Sequence, residues 1–310
     1  MTDDNVATSG DDSPTDGEHA PAPTDVATSG DDPPTDGEHA PAPADGEPVP
    51  GAATASERAP AAIRGDDVRV ARGDKTVLRG VTLAARSGEV LGVLGPSGAG
   101  KSTLFRALVG EIEASSGRVE LLGEDVSRLP LWARARRGLS YVPQTPSVLW
   151  DLSVRDNLAS YHRVVHGRSS AATVSAAIAR LAQRVALEDR MDVRAGELSG
   201  GERRRLELAR ALTRPPRVLI CDEPFAGVDP QQASRLGDML RALARDDGVC
   251  VMLADHHVEE ALRVCTRAVL LLDGEVAAEA EPAAFREHPL VVGRYLGSWA
   301  RTIPPPPPRP

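Results

Sequence analysis

The chain has 310 residues, enough for one large domain or two ordinary ones with a buried core, and 36 Lys+Arg against 45 Asp+Glu give a formal net charge of −9. That charge is uneven: residues 1–62 hold 14 acidic side chains and one basic (Arg58), leaving residues 63–310 at +4, with 31 acidic against 35 basic. A body so balanced does not argue for nucleic acid from field strength alone and leaves the partner open, while three cysteines (Cys221, Cys250, Cys265) without CxxC spacing exclude a disulfide framework and most zinc sites.

Residues 5–24 recur at 25–44 and differ only at Asn5/Asp25, Ser13/Pro33 and Thr24/Ala44, a tandem duplication of 20 residues. Rich in Asp, Pro, Gly, Ser and Ala and without an aromatic residue, residues 1–62 cannot bury enough apolar surface to offset chain entropy, so a disordered acidic leader is predicted. The N-terminus opens with Thr2, Asp3 and Asp4 in place of a signal peptide's basic and apolar residues, and no apolar run approaches the ~20 residues that span a bilayer. A soluble protein of a reducing, cytoplasmic compartment is the expectation.

From about Ile63 to Gly297 short apolar runs alternate with helical patterns, which predicts an α/β domain over 63–297 with a mostly parallel core sheet. Val68–Val70 and Val77–Leu83 read as strands of an antiparallel flank turned by Gly73-Asp74. Val90–Leu94, Val218–Cys221, Val249–Leu253 and Ala268–Leu272 read as the most buried strands. Residues 153–195 are mostly helical, and Ala171–Leu187 sets Val174, Ile178, Leu181 and Val185 on one stripe. A helical subdomain over about 145–215, inserted into the core, is the economical reading. A proline-rich tail, 298–310, ends the chain.

Between the strand Val90–Leu94 and the helical pattern Thr103–Val109 stands Gly95-Pro96-Ser97-Gly98-Ala99-Gly100-Lys101-Ser102, the GxxxxGK[ST] pattern of a phosphate-binding loop. Glycines at 95, 98 and 100 let backbone N–H groups turn inward, and the helix N-terminus adds its dipole for a di- or triphosphate. Lys101 supplies a mobile point charge for the β- and γ-phosphates and Ser102 a hydroxyl for Mg²⁺. The chain has only two lysines, Lys75 and Lys101, so a lysine in this slot marks a need for the compact ammonium.

Leu198-Ser199-Gly200-Gly201-Glu202, followed by Arg203–Arg205, is a second glycine-bearing helix start able to hold an anion on its free N–H groups. The three arginines read as a solvated helix face. Val218-Leu219-Ile220-Cys221-Asp222-Glu223 is an apolar strand ending in two carboxylates, stopped by Pro224. Side chains alternate along a strand, so the two acids divide the work: Asp222 for the Mg²⁺ shell, Glu223 to orient or deprotonate an attacking water.

With LSGGE roughly 20 residues before Asp222-Glu223, the sequence resembles the ATP-binding cassette (ABC) ATPases. The resemblance implies an ATPase that works as a homodimer, two ATP molecules lying between the phosphate loop of one subunit and Ser199, Gly200, Gly201 and Glu202 of the other. It implies that Gln144 contacts Mg²⁺ and couples to a membrane partner, that Asp229 crosses the dimer interface, and that His256 contacts the γ-phosphate, His257 being its nearest competitor. Thr103 joins the phosphate-loop set, and Arg72 stands where many members stack adenine on an aromatic residue. Glu202 replaces a common glutamine.

The cassette covers about residues 66–297 and is single, so transport requires two separate integral-membrane permease subunits, and the ATPase would sit peripherally on the cytoplasmic face of the inner membrane. LSGGERRRLELARAL (198–212), DEPFAGVDP (222–230), ADHHVEEAL (254–262) and RVCTRAVLLLDGEV (263–276) resemble the ATPases of lipopolysaccharide export, with branched-chain amino acid importers as the alternative. In that reading the membrane subunits handle a lipid substrate, and no nucleic acid is involved. Leu149, Trp150 and Leu152 would then line the groove that receives the membrane partners, or belong to an ordinary core; both readings stay open. A soluble ABC ATPase of repair or translation is a third possibility, disfavoured by the single cassette without coiled-coil or metal-binding insertions, and a regulator without hydrolysis is disfavoured by Glu223 and His256.

Overall fold

The computed structural model describes residues 60–297 except Asp74, so the leader up to residue 59, one residue of the proposed hairpin turn and the tail from residue 298 lie outside the described residues. In chain order the elements are β1 (Ala61–Arg72), β2 (Lys75–Arg86), β3 (Val90–Leu94), α1 (Lys101–Val109), β4 (Ser116–Leu121), β5 (Glu124–Asp125), α2 (Leu131–Arg136) and β6 (Leu139–Val142). There follow α3 (Val154–His166), α4 (Ala171–Arg184), α5 (Gly200–Ala211), β7 (Val218–Asp222), α6 (Pro230–Asp247), β8 (Cys250–Ala254), α7 (Val258–Val264), β9 (Arg267–Leu272), β10 (Glu275–Ala280), α8 (Pro282–Glu287) and α9 (Pro289–Val291). Two short 3₁₀ turns precede α5, and a π-helical turn, Val292–Leu296, follows α9.

Four strands, ordered β2-β1-β4-β5, form an antiparallel sheet, and six, ordered β10-β9-β3-β8-β7-β6, form a sheet that is parallel from β9 to β6. The parallel strands are apolar on both faces because each face meets a different core. In β3, Val90 and Leu94 enter one cluster while Leu91 and Val93 enter the other; in β7, Leu219 and Cys221 part from Val218 and Ile220 in the same way. That period of two needs unbroken apolar runs, which is why these strands were legible as such. Each fully buried Leu or Val contributes roughly 1.5–3 kcal/mol.

Helix α1 fills the space between the two sheets with Leu104, Phe105, Leu108 and Val109. Helices α6 and α7, which leave β7 and β8, pack on the opposite face through Leu236, Leu240, Val258 and Leu262. Where successive helices depart to opposite faces, the carboxyl ends of the strands open a crevice, and such crevices hold ligands. Here the crevice lies beyond Leu94, Asp222 and Ala254.

Helices α3, α4 and α5 occupy the segment 145–215. The stripe on α4 falls as predicted: Val174, Ile178 and Val185 are buried and Leu181 packs against the same cluster. Ser153, Ser170 and Ser199 cap α3, α4 and α5, each accepting a hydrogen bond from the third backbone N–H inside its helix.

One expectation fails. Arg203–Arg205 do not form a solvated face: Arg204 and Arg205 are buried and only Arg203 is partly exposed. The causes differ: Arg204 donates to inward-facing backbone carbonyls, described below, and Arg205 to the Gln232 side chain.

Candidate functional site

The phosphate loop joins the end of β3 to α1. Gly95 is held so close to β9 that a Cβ would meet the Leu271 carbonyl oxygen at 2.2 Å. Gly98 (φ 80°) has only open space where a Cβ would go, so the loop crest is free for a ligand to approach. Gly100, at φ 105°, starts α1 without a side-chain cap, leaving the first N–H groups of the helix to an anion. Pro96, Ser97 and Gly98 are exposed, Ala99 is buried, and Thr103 is half-buried on the first turn of α1.

Lys101 is only 8% exposed, and its Nζ donates to the Gly95 and Pro96 carbonyls at 2.8 and 2.9 Å. Burial lowers its pKa, opposed by the charges of Glu223, Asp222 and Asp255. Ser102 Oγ donates to Asp222 Oδ1 at 3.2 Å, so a hydroxyl and a carboxylate meet at the mouth of the loop. Burial raises the Asp222 pKa, and Glu223 adds to the rise against the Ser102 hydrogen bond and Lys101. Oxygen donors of this kind, near a phosphate loop, suit a hard divalent ion such as Mg²⁺.

Asp222 ends β7, but Glu223 does not continue the strand. Its φ is +50°, and its N–H donates to the Ala254 carbonyl at 2.7 Å. The two acids therefore part because the backbone turns left-handed at Glu223, and strand alternation, the reason given by the sequence, is not the cause. A non-glycine residue in that region costs on the order of 1–3 kcal/mol and is characteristic of functional sites.

His256 Nδ1 lies 3.4 Å from Glu223 Oε2, and the His256 side chain is 57% exposed. His257 turns away from Glu223 toward Asp255: its Nδ1 and backbone N are 2.9 and 2.8 Å from Asp255 Oδ1. Of the two histidines, His256 is thus the one beside Glu223. Asp255, fully buried, also accepts the Phe225 N–H at 2.9 Å, which ties the segment after Glu223 to the segment before His256. Sequence reasoning missed Asp255; its signal was an acidic residue directly after an apolar strand and before two histidines.

Ser199 and Glu202 form a capping box: Ser199 Oγ accepts the Glu202 N–H at 3.2 Å, and Glu202 accepts the Ser199 N–H at 2.9 Å. Glu202 also pairs with Arg190 at 2.8 Å. Burial works against its charge, but these hydrogen bonds prevail and lower its pKa. Its carboxylate is therefore committed to the scaffold, and Ser199, Gly200 and Gly201 are left to present the helix start. Gly200 and Gly201 pack on the next loop, where a Cβ would meet the Gly227 carbonyl at 2.3 Å and Gln232 Cβ at 2.6 Å. Asp229 caps α6 by accepting the Gln232 N–H at 3.0 Å.

Arg204 joins the remaining parts. It donates to the Pro143 carbonyl (3.0 Å), the Gln144 carbonyl (2.8 Å), the Glu223 carbonyl (3.3 Å) and Glu207 Oε2 (2.8 Å). Glu207 in turn accepts the Ser147 N–H at 2.7 Å. One buried ion pair on α5 thus pins the backbone around Gln144 and of Glu223, while the Gln144 side chain stays exposed. Arg72 is exposed on the β1–β2 hairpin, where it pairs with Lys75.

Leu149, Trp150 and Leu152 are 44%, 47% and 37% exposed, which decides against an ordinary core. The Arg203 guanidinium lies over the Trp150 ring at 5.0 Å and that of Arg210 over Tyr161 at 4.9 Å, so basic groups rim this apolar patch. Among the described residues no helix is long and apolar enough to cross a membrane.

Comparison with known proteins supplies the context. Residues 78–226 match a family model described as ABC transporter. The lipopolysaccharide export system ATP-binding protein LptB of Escherichia coli strain K12 is 40% identical over 223 residues, covering 72% of this chain and 92% of that protein. Its counterpart in Acidithiobacillus ferridurans is 39% identical, covering 72% and 91%. The Nod factor export ATP-binding protein I of Paraburkholderia xenovorans is 42% identical over 224 residues, covering 72% of each chain. Among solved structures, a nucleotide-free ATP-binding cassette from an ABC transporter superposes with a TM-score of 0.70 at 26% identity, covering 76% of this chain and 99% of that one.

Proposed function

Because this chain belongs to the ABC transporter family and is an ATPase of that family, we propose that it powers the export of lipopolysaccharide from the inner membrane through separate membrane subunits. The observation that carries the substrate class is the 39–40% identity to lipopolysaccharide-export ATPases over more than nine tenths of their length. The 42% identity to a Nod factor export protein, over 72% of that chain, favours export of a different substrate as the second reading.

In the proposed cycle two copies close on two ATP molecules. The phosphate loop of one copy holds the nucleotide, and the start of α5 in the other, Ser199-Gly200-Gly201, covers the γ-phosphate with the Ser199 hydroxyl and the N–H groups of Gly200 and Gly201. Lys101 leaves the Gly95 and Pro96 carbonyls for the β- and γ-phosphates. Ser102 and Asp222, with Gln144 closing in, would hold Mg²⁺, which neutralises phosphate charge. Glu223 takes the proton of the attacking water and His256 donates to the γ-phosphate, a division supported by their 3.4 Å separation and by the turn that lifts Glu223 off the strand. Asp229 moves with the loop that Gly200 touches, so the interface and the catalytic segment shift together.

Two membrane permease subunits complete the machine. The exposed Leu149-Trp150-Leu152 patch with its arginine rim is the surface proposed to receive them, with the ATPase lying peripherally on the cytoplasmic face in that reading. It adjoins the Gln144 segment, so a push on the patch reaches the nucleotide through the backbone that Arg204 holds. The cassette is proposed to occupy 63–297, with the acidic leader and proline-rich tail outside it.

The test is affinity purification of tagged Glu223→Gln protein from detergent-solubilised native membranes with ATP and Mg²⁺. Recovery of the lipopolysaccharide-export membrane pair supports the reading. Amino-acid permease subunits would install an importer instead, and a wholly soluble partner would sink transport.

A further inference from the structure

We propose that Asp255, His256 and His257, together with Glu223, form an inhibitory site for a borderline divalent transition metal, of which Zn²⁺ is the archetype. The ring nitrogens of both histidines turn toward one carboxylate: Asp255 Oδ1 is 2.9 Å from His257 Nδ1 and 3.7 Å from His256 Nδ1. The three ligand atoms all lie within 4.8 Å of one another. Glu223 Oε2 stands 3.4 Å from the same His256 nitrogen. Tetrahedral zinc with ligands at about 2.0–2.2 Å holds its donors roughly 3.3 Å apart, so the 2.9, 3.4 and 3.7 Å separations bracket what the ion requires of those three pairs, and Glu223 would close on the Asp255-His256-His257 set through His256.

The imidazole rings support the same reading. Their centroids are 4.1 Å apart at 41°, a tilted pair held side by side. Both are substantially exposed, at 57% and 41%, which gives a hydrated ion a way in. An ion between His257 Nδ1 and Asp255 takes the place of a proton there, leaving the imidazole proton on Nε2 with no change in the ring's charge. Two imidazoles and carboxylates select zinc-like metals, whereas Mg²⁺ prefers an all-oxygen shell like that of Ser102 and Asp222. The two ion sites are therefore chemically separate.

Occupancy captures Glu223 and His256 together, so the ion removes both groups from the nucleotide and stops turnover without displacing ATP from the phosphate loop. The inhibitory consequence rests on the proposed roles of Glu223 and His256; the binding does not.

The test uses the full chain, stripped with a chelator and nucleotide-free, and titrates Zn²⁺ against a chromophoric chelator. Wild type should show a site that weakens at least tenfold in His257→Asn, a replacement chosen because its amide can still serve Asp255. Equal zinc affinity in wild type and variant overturns the proposal. Should His257→Asn not fold, His256→Gln read by the same titration decides in its place. In MgATP turnover, Zn²⁺ should inhibit wild type reversibly, and His257→Asn should need at least tenfold more Zn²⁺ for the same loss while turning over normally without it. Loss of the site in the variant together with zinc-insensitive turnover in wild type would uphold the metal site and overturn the roles given to Glu223 and His256.

Discussion

Removing Arg204 tests whether α5 holds the segments around Gln144 and Glu223 or merely packs against them. Arg204→Met leaves Glu207 buried without its cation, with a side-chain exposure of 1%. Breaking a buried pair from one side costs roughly 3–5 kcal/mol, a large part of the about 5–15 kcal/mol that stabilises a domain. A single variant would thus confuse instability with lost function. The double variant Arg204→Met, Glu207→Gln removes both charges, keeps an acceptor for the Ser147 N–H, and should recover most of that loss. What it does not restore is the shared anchor of the Pro143, Gln144 and Glu223 carbonyls, at 3.0, 2.8 and 3.3 Å. Urea denaturation of the nucleotide-free protein should place the double variant near wild type, while kcat for ATP falls at least tenfold with a smaller change in KM, since the phosphate loop is untouched. A stable double variant with wild-type kcat would refute the clamp and leave Arg204 a packing element.

Further outcomes follow from the same geometry. Glu223→Gln should lower turnover by orders of magnitude while ATP binding survives, read by single-turnover hydrolysis and by the fraction of ATP-bound dimer on gel filtration. Asp222→Asn should raise the melting temperature of the nucleotide-free chain at pH 7–8 while abolishing turnover. Burial raises the Asp222 pKa, so the folded state binds its proton more tightly than the unfolded one; stability is lost as pH rises from the ordinary carboxylate pKa through the raised folded-state one, and removing the charge relieves that loss. Cys221, Cys250 and Cys265 are buried, and burial raises all three thiols, that of Cys221 to about 12. A thiol reagent at pH 8 should label none until denaturant unfolds the chain. Arg134 donates to the carbonyls of Ala107, Leu108, Ser127 and Leu129, and burial brings its pKa down to about 10. Arg134→Met should cost ~3 kcal/mol in urea denaturation by orphaning carbonyls at the end of α1.

The phosphate loop was legible because everything it needs is local: an apolar strand, glycines in sequence and a helix start lie within twenty residues. The parallel strands were legible because burial on both faces leaves no polar position to confuse the pattern. What escaped was set by partners distant in sequence. Three consecutive arginines look like a wet helix face, and only the carbonyls of Pro143, Gln144 and Glu223 make the middle one a buried donor. The left-handed turn at Glu223 depends on the Ala254 carbonyl, 31 positions away, which draws its N–H across the end of the sheet. Asp255 carried no motif at all, yet it fixes both Phe225 and His257. The balance between core and docking surface at Leu149-Trp150-Leu152 was also beyond composition, since exposure is a property of what the rest of the chain leaves uncovered.

Several of the groups assigned to ATP already have protein partners. Lys101 is satisfied by two loop carbonyls, Ser102 by Asp222, Glu202 by its capping box and Arg190, and Asp229 by the start of α6. Binding ATP therefore exchanges hydrogen bonds more than it adds them, and each exchange returns little net energy. What ATP adds is charge: a polyphosphate opposite Lys101 and the open first turn of α1 meets cationic and dipolar groups that the loop carbonyls satisfy only weakly. The bonds of Glu202 and Asp229 lie at the helix starts that the dimer reading puts on the interface. These two residues have least to gain from nucleotide, so their part is to keep the helix starts rigid while Ser199, Gly200 and Gly201 do the touching. On this argument Glu202→Gln, which keeps the cap but weakens the Arg190 pair, should leave ATP affinity unchanged and alter turnover less than twofold. A large loss in turnover would mean that the carboxylate itself reaches the nucleotide of the facing copy.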